Sequence, residues 1–280
     1  MSQTSNPLRQ FFRQPAVYIK LPSDGQFWPE KSISMTENRE LPVLPMTAID
    51  EITYRTPDAL FNGQAVISVV QSCISHIKDA WEMPAVDLNA ILVAIRIASY
   101  GHTITIGSTC PACNTEQEYD IDLRVVLDTI VSPDYSVTVT AGDLEIAFRP
   151  CSYRNQNNIN QLQFDEQRNI RAIPESDIPD SEKIKKLNNA LLKITQLTVD
   201  AMKYNIYSIR TPQAMVTEIE FIQEFLNNCD RKLFAQIRER IIELKNKTEL
   251  SPVRVTCSNC NHEYDQGMSL DQTSFFDAAS

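Results

Sequence analysis

The chain has 280 residues, 42% of them hydrophobic, with 26 Lys and Arg against 36 Asp and Glu for a net charge of −10. It is long enough for one large core or two domains. That acidity works against broad phosphate binding, which needs a surplus of Lys and Arg on one face, so nucleic acid is an unfavoured partner. The best apolar run, Ala90 to Ile95, stops at Arg96, far short of the roughly 18 residues of a membrane span, and no membrane partner is expected.

Residues 1–14 mix Ser, Asn, Gln and Arg around Phe11-Phe12 and read as a flexible arm, its two aromatics either stapled to the body or anchored on a partner. Val17 to Leu21 alternates as a short strand, and Pro22-Ser23-Asp24-Gly25 has Pro and Gly where a tight turn wants them. Phe27-Trp28 beside that turn reads as local core. Leu41 to Met46 is extended, because each Pro biases the residue before it away from the helical region. Thr47 then opens a helix with Asp50 and Glu51 in its first turn, and Thr56-Pro57 predicts another start, with Pro at the first helical position.

A longer helix is predicted over residues 64–76, with Val66, Val69, Val70, Cys73 and Ile74 at helical spacing. Asp87 is read as the cap of a helix over 88–100, ended by Gly101 and apolar nearly all round. Arg96 inside it needs a carboxylate partner or an exit to solvent. Asp122 leads a short helix through Val125, Val126 and Ile130, and residues 135–139 and 144–148 alternate around Ala141-Gly142-Asp143 as a hairpin. Beyond Tyr153 the chain turns polar and helical, with helices predicted over 182–210, 211–227 and 230–247. An acidic tail with Phe275-Phe276 closes the chain and is expected to be loose unless it docks.

Two small units repeat across this order. Cys110-Pro111-Ala112-Cys113 and Cys257-Ser258-Asn259-Cys260 each follow an alternating β-branched run, and each is followed by Glu-Tyr-Asp, at 118–120 and 263–265. A two-residue spacer between strands aims both sulfurs at one point, and two such knuckles supply the four thiolates of a closed structural zinc site. Residues 114–256 lie between them, 143 in all, against roughly 15–20 in a compact zinc ribbon. The expectation is a ribbon split by an insertion and closed by folding, with Zn2+ on Cys110, Cys113, Cys257 and Cys260.

Other cysteine chemistries fit less well. Neither motif opens a helix in a βαβ unit, as a thioredoxin-like pair would. Cys73, Cys151 and Cys229 sit in apolar or helical contexts where a buried free thiol is ordinary. Seven cysteines, an odd number, and no signal peptide point to a reducing compartment. The three histidines, His76, His102 and His262, come with no Walker loop, His-Glu-x-x-His or Gly-x-Ser-x-Gly motif, so no catalytic residue, no small-molecule substrate and no further cofactor site is expected. His102 and His262 lie near the knuckles, where either could replace a cysteine or hydrogen-bond a sulfur.

The blocks Tyr18-Ile19-Lys20-Leu21-Pro22-Ser23-Asp24-Gly25, Met46-Thr47-Ala48-Ile49-Asp50-Glu51, Ile95-Arg96-Ile97-Ala98-Ser99-Tyr100-Gly101 and Cys110-Pro111-Ala112-Cys113, in this order and spacing, resemble the baseplate hub and assembly proteins of contractile-tailed, T-even-type bacteriophages. The resemblance is strongest from about Val17 to Asp122. It implies a noncatalytic protein of the virion tail baseplate, made in the host bacterial cytoplasm, whose partners are other tail proteins. The alternative, supported by the knuckles, is a zinc-ribbon nucleic-acid-binding or transcription regulatory protein. The fold class expected is mainly α with small β elements (α+β): a helical core, a split four-cysteine ribbon and a β-hairpin. Its expected parts are an arm (1–14), a helical domain with the first knuckle (15–132), a hairpin and helical insertion (133–250), the second knuckle (251–268) and a tail (269–280).

Overall fold

Alternation over Val17–Lys20 (β1) turns Ile19 inward, and the strand pairs antiparallel with Glu40–Val43 (β2), Val17 opposite Val43. The computed structural model describes residues 6–56, 62–175, 178–268 and 275–276; the helix start expected at Pro57 lies outside them. After β1 the chain reverses through Asp24 and Gly25, both left-handed at φ 52° and 76°. A Cβ on Gly25 would stand 3.1 Å from Met35 Sδ, so glycine answers both the backbone and the space.

Thr47 caps Ala48–Tyr54 (α1) in a reciprocal capping box with Asp50. Gln64–Cys73 (α2) buries Val66, Val69, Val70 and Cys73 on one face. Ala85–Tyr100 (α3) runs through the middle of the first core, its residues Ala90 to Arg96 all buried. The expected start of α3 is corrected. The helix begins at Ala85, before Asp87, and the Asp87 carboxylate does not cap it. Instead Asp87 accepts from Ser23 N–H (2.8 Å), Ser23 Oγ (2.6 Å) and Trp28 Nε1 (2.7 Å), tying the β1 turn to the helix. Of the two fates open to Arg96, exit to solvent does not occur: the residue is 1% exposed, and its guanidinium lies over the rings of Tyr100 and Phe275, 5.0 and 5.8 Å from their centroids.

Thr103–Thr109 (β3) and Glu116–Asp122 (β4) form a hairpin, and Asp122 caps Leu123–Thr129 (α4). Val139–Ala141 (β5) and Leu144–Phe148 (β6) form the expected second hairpin, its first strand shorter than the sequence suggests, turned by left-handed Gly142. Tyr153–Ala172 (α5) and Asp180–Lys203 (α6) pack on each other as a long helical hairpin.

The predicted helix over 182–210 stops at Lys203. Ile206–Arg210 (β7) is a strand, with Ile206, Ser208 and Ile209 buried and Tyr207 and Arg210 exposed, and it adds to β6 with Glu145 opposite Arg210. Met215–Val216 (β8) completes a four-stranded antiparallel sheet in the order β5-β6-β7-β8. The next helix, Ile219–Asn228 (α7), begins later than expected, because Thr211 Oγ1 accepts from Gln213 and Ala214 N–H and holds a turn around Pro212. Asp230 caps Arg231–Asn246 (α8), and Val253–Thr256 (β9) pairs with Glu263–Gln266 (β10).

Two apolar clusters result. One gathers β1, β2 and α1 to α4, and it takes in Val255, Phe275 and Phe276 from the far end of the chain. The other gathers β6, β7, the end of α6, α7 and α8 around Ile146, Ile206 and Ile237. Phe275 and Phe276, on a tail expected to be loose unless it docks, are docked, each 4% exposed. Phe276 meets Tyr54 edge-on at 4.6 Å. The class is α+β, with eight α-helices and ten short strands among the described residues; among these, no helix is long and apolar enough to cross a membrane.

Candidate metal centre

Each knuckle is the tip of a β-hairpin. In the first, where Thr109 pairs with Glu116, Cys110 N–H donates to Thr115 O (3.0 Å) and Asn114 N–H to Cys110 O (2.9 Å). In the second, where Thr256 pairs with Glu263, Cys257 N–H donates to His262 O and Asn261 N–H to Cys257 O, both at 2.9 Å. The two tips share one hydrogen-bond pattern. Both place Asn in the left-handed region, Asn114 at φ 55° and Asn261 at φ 56°. That conformation is costly for most L-residues and tolerated by Asn, which explains why both motifs read Cys-x-x-Cys-Asn.

The hairpins stay separate two-stranded sheets and are joined by side chains. Gln117 Nε2 donates to Cys257 Sγ at 2.8 Å, and its Oε1 accepts from Ser258 N–H (2.9 Å) and Oγ (2.7 Å). Asn259 Nδ2 reaches back to Thr115 Oγ1 at 3.1 Å. Ser108 Oγ and Tyr264 OH lie 2.9 Å apart, and the Tyr119 and Tyr264 rings meet edge-on. Sequence reasoning did not single out Gln117 and Asn259; the pointer available was their place beside the cysteines, but their target lies some 140 residues away.

All four thiols converge, with Cys110, Cys113, Cys257 and Cys260 Sγ within 4.8 Å of one another. The short contacts cross between the knuckles, Cys110 to Cys260 at 3.7 Å and Cys113 to Cys257 at 3.6 Å. A tetrahedron with metal–sulfur bonds of about 2.3 Å has edges of about 3.8 Å, so the cluster has the size of a four-thiolate zinc site. Disulfides would need sulfurs about 2.05 Å apart; all seven cysteines are free.

The local field prepares thiolates unequally. Hydrogen bonding from the Thr115 side chain, then from its backbone and the Asn259 amide, lowers the Cys113 pKa to about 5. At Cys257, burial raises the pKa but is outweighed by backbone N–H groups of Cys260 and Asn259, and the net shift is downward. At Cys260 the His262 backbone N–H pulls down, yet the neighbouring Cys113 thiol, burial and the other thiols push it up to about 12. Four sulfurs this close cannot all ionise by themselves, and a dication held among them would supply the charge that lets them do so. The donor set therefore fits a soft, tetrahedral metal. His262 sits at the site through its backbone, its ring stacked on Tyr264 at 6.1 Å, and His102 serves through its carbonyl, which accepts from Leu123 N–H.

An α+β chain whose remote hairpins close on one four-sulfur cluster is a clasped scaffold in its architecture. The chain belongs to the T4 bacteriophage base plate protein family, whose model matches residues 16–277. That match takes in the second hairpin, the long helices and the second knuckle, well past the stretch from Val17 to Asp122 that carries the sequence resemblance. Searches of curated proteins and of solved structures returned no match.

Proposed function

We propose that this protein is a noncatalytic structural or assembly component of the phage tail baseplate, at or near its hub, that acts through contacts with other tail proteins. A structural zinc ion on Cys110, Cys113, Cys257 and Cys260 holds the two ends of the 143-residue insertion together. The observation that carries the zinc reading is the spacing of the four sulfurs, drawn from both ends of a 143-residue interval onto one point. A four-thiolate site is coordinatively closed, so it staples and leaves no open position for catalysis. Family membership supports the place of action, a virion tail baseplate assembled in the bacterial cytoplasm.

Two measurements test this. Metal analysis of the purified protein should find one zinc per chain, and affinity purification from infected cells should recover baseplate proteins. A gel shift near physiological salt separates the alternative: DNA or RNA binding that weakens steeply with salt would favour a nucleic-acid-binding ribbon and count against the assembly role.

A further inference from the structure

The contacts that cross between the two knuckles suit a second chemistry besides metal binding. Cys110 and Cys260 Sγ lie 3.7 Å apart, and Cys113 and Cys257 Sγ 3.6 Å. A closure of about 1.6 Å in each pair reaches the roughly 2.05 Å of a disulfide. Each pair joins a reachable sulfur to a buried one: Cys260 is exposed and Cys113 half-buried, while Cys110 and Cys257 are buried.

Protein groups hold the sulfurs of the second pair in place across the join. Gln117, on the first hairpin, donates to Cys257 on the second, and Asn259, on the second, stands 3.7 Å from Cys113 on the first. Ser108 and Tyr264 add a direct bond between the hairpins at 2.9 Å. The remaining thiols compete poorly. Burial pushes Cys73 and Cys151 up to about 12 and raises Cys229 as well, which keeps them protonated and slow to react.

We propose that the cluster is a redox clasp: under peroxide it exchanges its metal for two disulfides, Cys110–Cys260 and Cys113–Cys257, and the hairpins stay joined. The reduced state rests on the zinc reading above, the oxidised one on the sulfur geometry. In the first step a peroxide oxygen passes to Cys260 Sγ: the O–O bond breaks, an S–O bond forms and water leaves. Cys110 Sγ then attacks that sulfenic sulfur, forming the S–S bond and expelling the second oxygen as water. Cys113 and Cys257 repeat the sequence. Each pair gives two electrons to one H2O2, and two protons from solvent complete the two waters. Sulfurs tied up in disulfides are no longer thiolate ligands, so zinc is released.

The pairing decides the mechanical outcome. A disulfide within each knuckle would bridge a single turn and leave the hairpins unlinked. The crossing bonds join residues 150 and 144 positions apart, and they keep both ends of the insertion together in an oxidising medium such as a virion meets outside its host.

The test treats the full zinc-loaded chain with hydrogen peroxide in small molar excess. Zinc release is followed with a chromogenic chelator, and sulfur connectivity by proteolysis and mass spectrometry without reduction. The expected result is loss of the bound zinc, recovery of peptides linked through Cys110–Cys260 and Cys113–Cys257, and renewed zinc uptake after dithiothreitol. The oxidised chain should melt about 5 °C or more above the reduced chain stripped of metal, because each crossing bond closes a long loop. Disulfides Cys110–Cys113 and Cys257–Cys260 overturn the proposal, as do sulfinic or sulfonic acids in their place, or links between chains. So does an oxidised chain that melts with the stripped one. Replacing Cys73, Cys151 and Cys229 by Ala should leave the two links unchanged; should that variant unfold, the wild-type map decides. Zinc is counted before peroxide is added. A chain purified without metal therefore fails the zinc reading alone, and its link map still decides the oxidised state.

Discussion

Gln117 lies in one hairpin and Cys257 in the other, and the 2.8 Å bond from Gln117 Nε2 to Cys257 Sγ is made by a side chain whose carbonyl simultaneously accepts from Ser258. One amide thus locks the second knuckle against the first and donates to a sulfur of the four-cysteine cluster. Outer partners of this kind orient ligands, and their loss typically costs 10- to 100-fold in metal affinity. Gln117→Ala should keep one zinc per chain yet release it to a chelator at 10- to 100-fold lower concentration, read by competition with a chromogenic chelator. Gln117→Glu, which sets a carboxylate against a thiolate, should weaken binding further than alanine does.

Removing a cysteine of the cluster is the stronger perturbation. Cys110→Ser and Cys257→Ser each take a buried sulfur from it. Each variant should lose zinc and show a melting temperature lower by about 10 °C or more, since structural zinc binding is coupled to folding. Retained stoichiometry and an unchanged melting curve in either variant would refute the four-thiolate site.

At the N-terminus, Arg13 and its neighbours part company. Arg13 Nη1 donates to Pro45 O (2.6 Å) and Asp50 (3.2 Å), and Nη2 to Ser72 O and Oγ (both 2.8 Å), while Phe11 and Phe12 are 77% and 55% exposed. Deleting residues 1–12 should therefore leave urea stability within about 0.5 kcal/mol. Deleting 1–14, or Arg13→Ala alone, should cost about 1–3 kcal/mol, because Asp50 and two backbone carbonyls lose a charged donor.

Asp87 gives stability a pH slope. Burial, opposed by the hydrogen bonds from Ser23 and Trp28, raises its pKa from 3.8 to about 6. Between those values the folded state holds a proton that the unfolded chain has released, so this group's contribution favours folding at low pH and declines as pH rises from about 4 to about 6. Above about 6 its contribution is flat. Asp87→Asn should remove that slope from urea midpoints measured between pH 4 and 7, and an unchanged slope would place its origin elsewhere.

Local chemistry made much of the molecule legible in the chain itself. Thr47 and Asp50, Asp122 and Asp230 announce helix starts because a cap bonds to amides two or three residues away. The twin Cys-x-x-Cys-Asn units define their turns by the same short-range bonding. What failed to read locally has distant partners. Ile206–Arg210 looks like a continuing helix until β6, some 60 residues earlier, offers it a sheet edge. Asp87 resembles a cap until Ser23 and Trp28 arrive from the β1 turn.

The same division runs through the four-cysteine cluster. Residue type and two-residue spacing determined that each knuckle presents a pair of cysteine sulfurs, because that geometry closes within six residues. Tertiary structure decided that the pairs face each other, that Gln117 and Asn259 join them, and that Phe275-Phe276 is buried against Tyr54 and Arg96. Those contacts span well over a hundred residues each, and only the packed apolar cores bring such segments together.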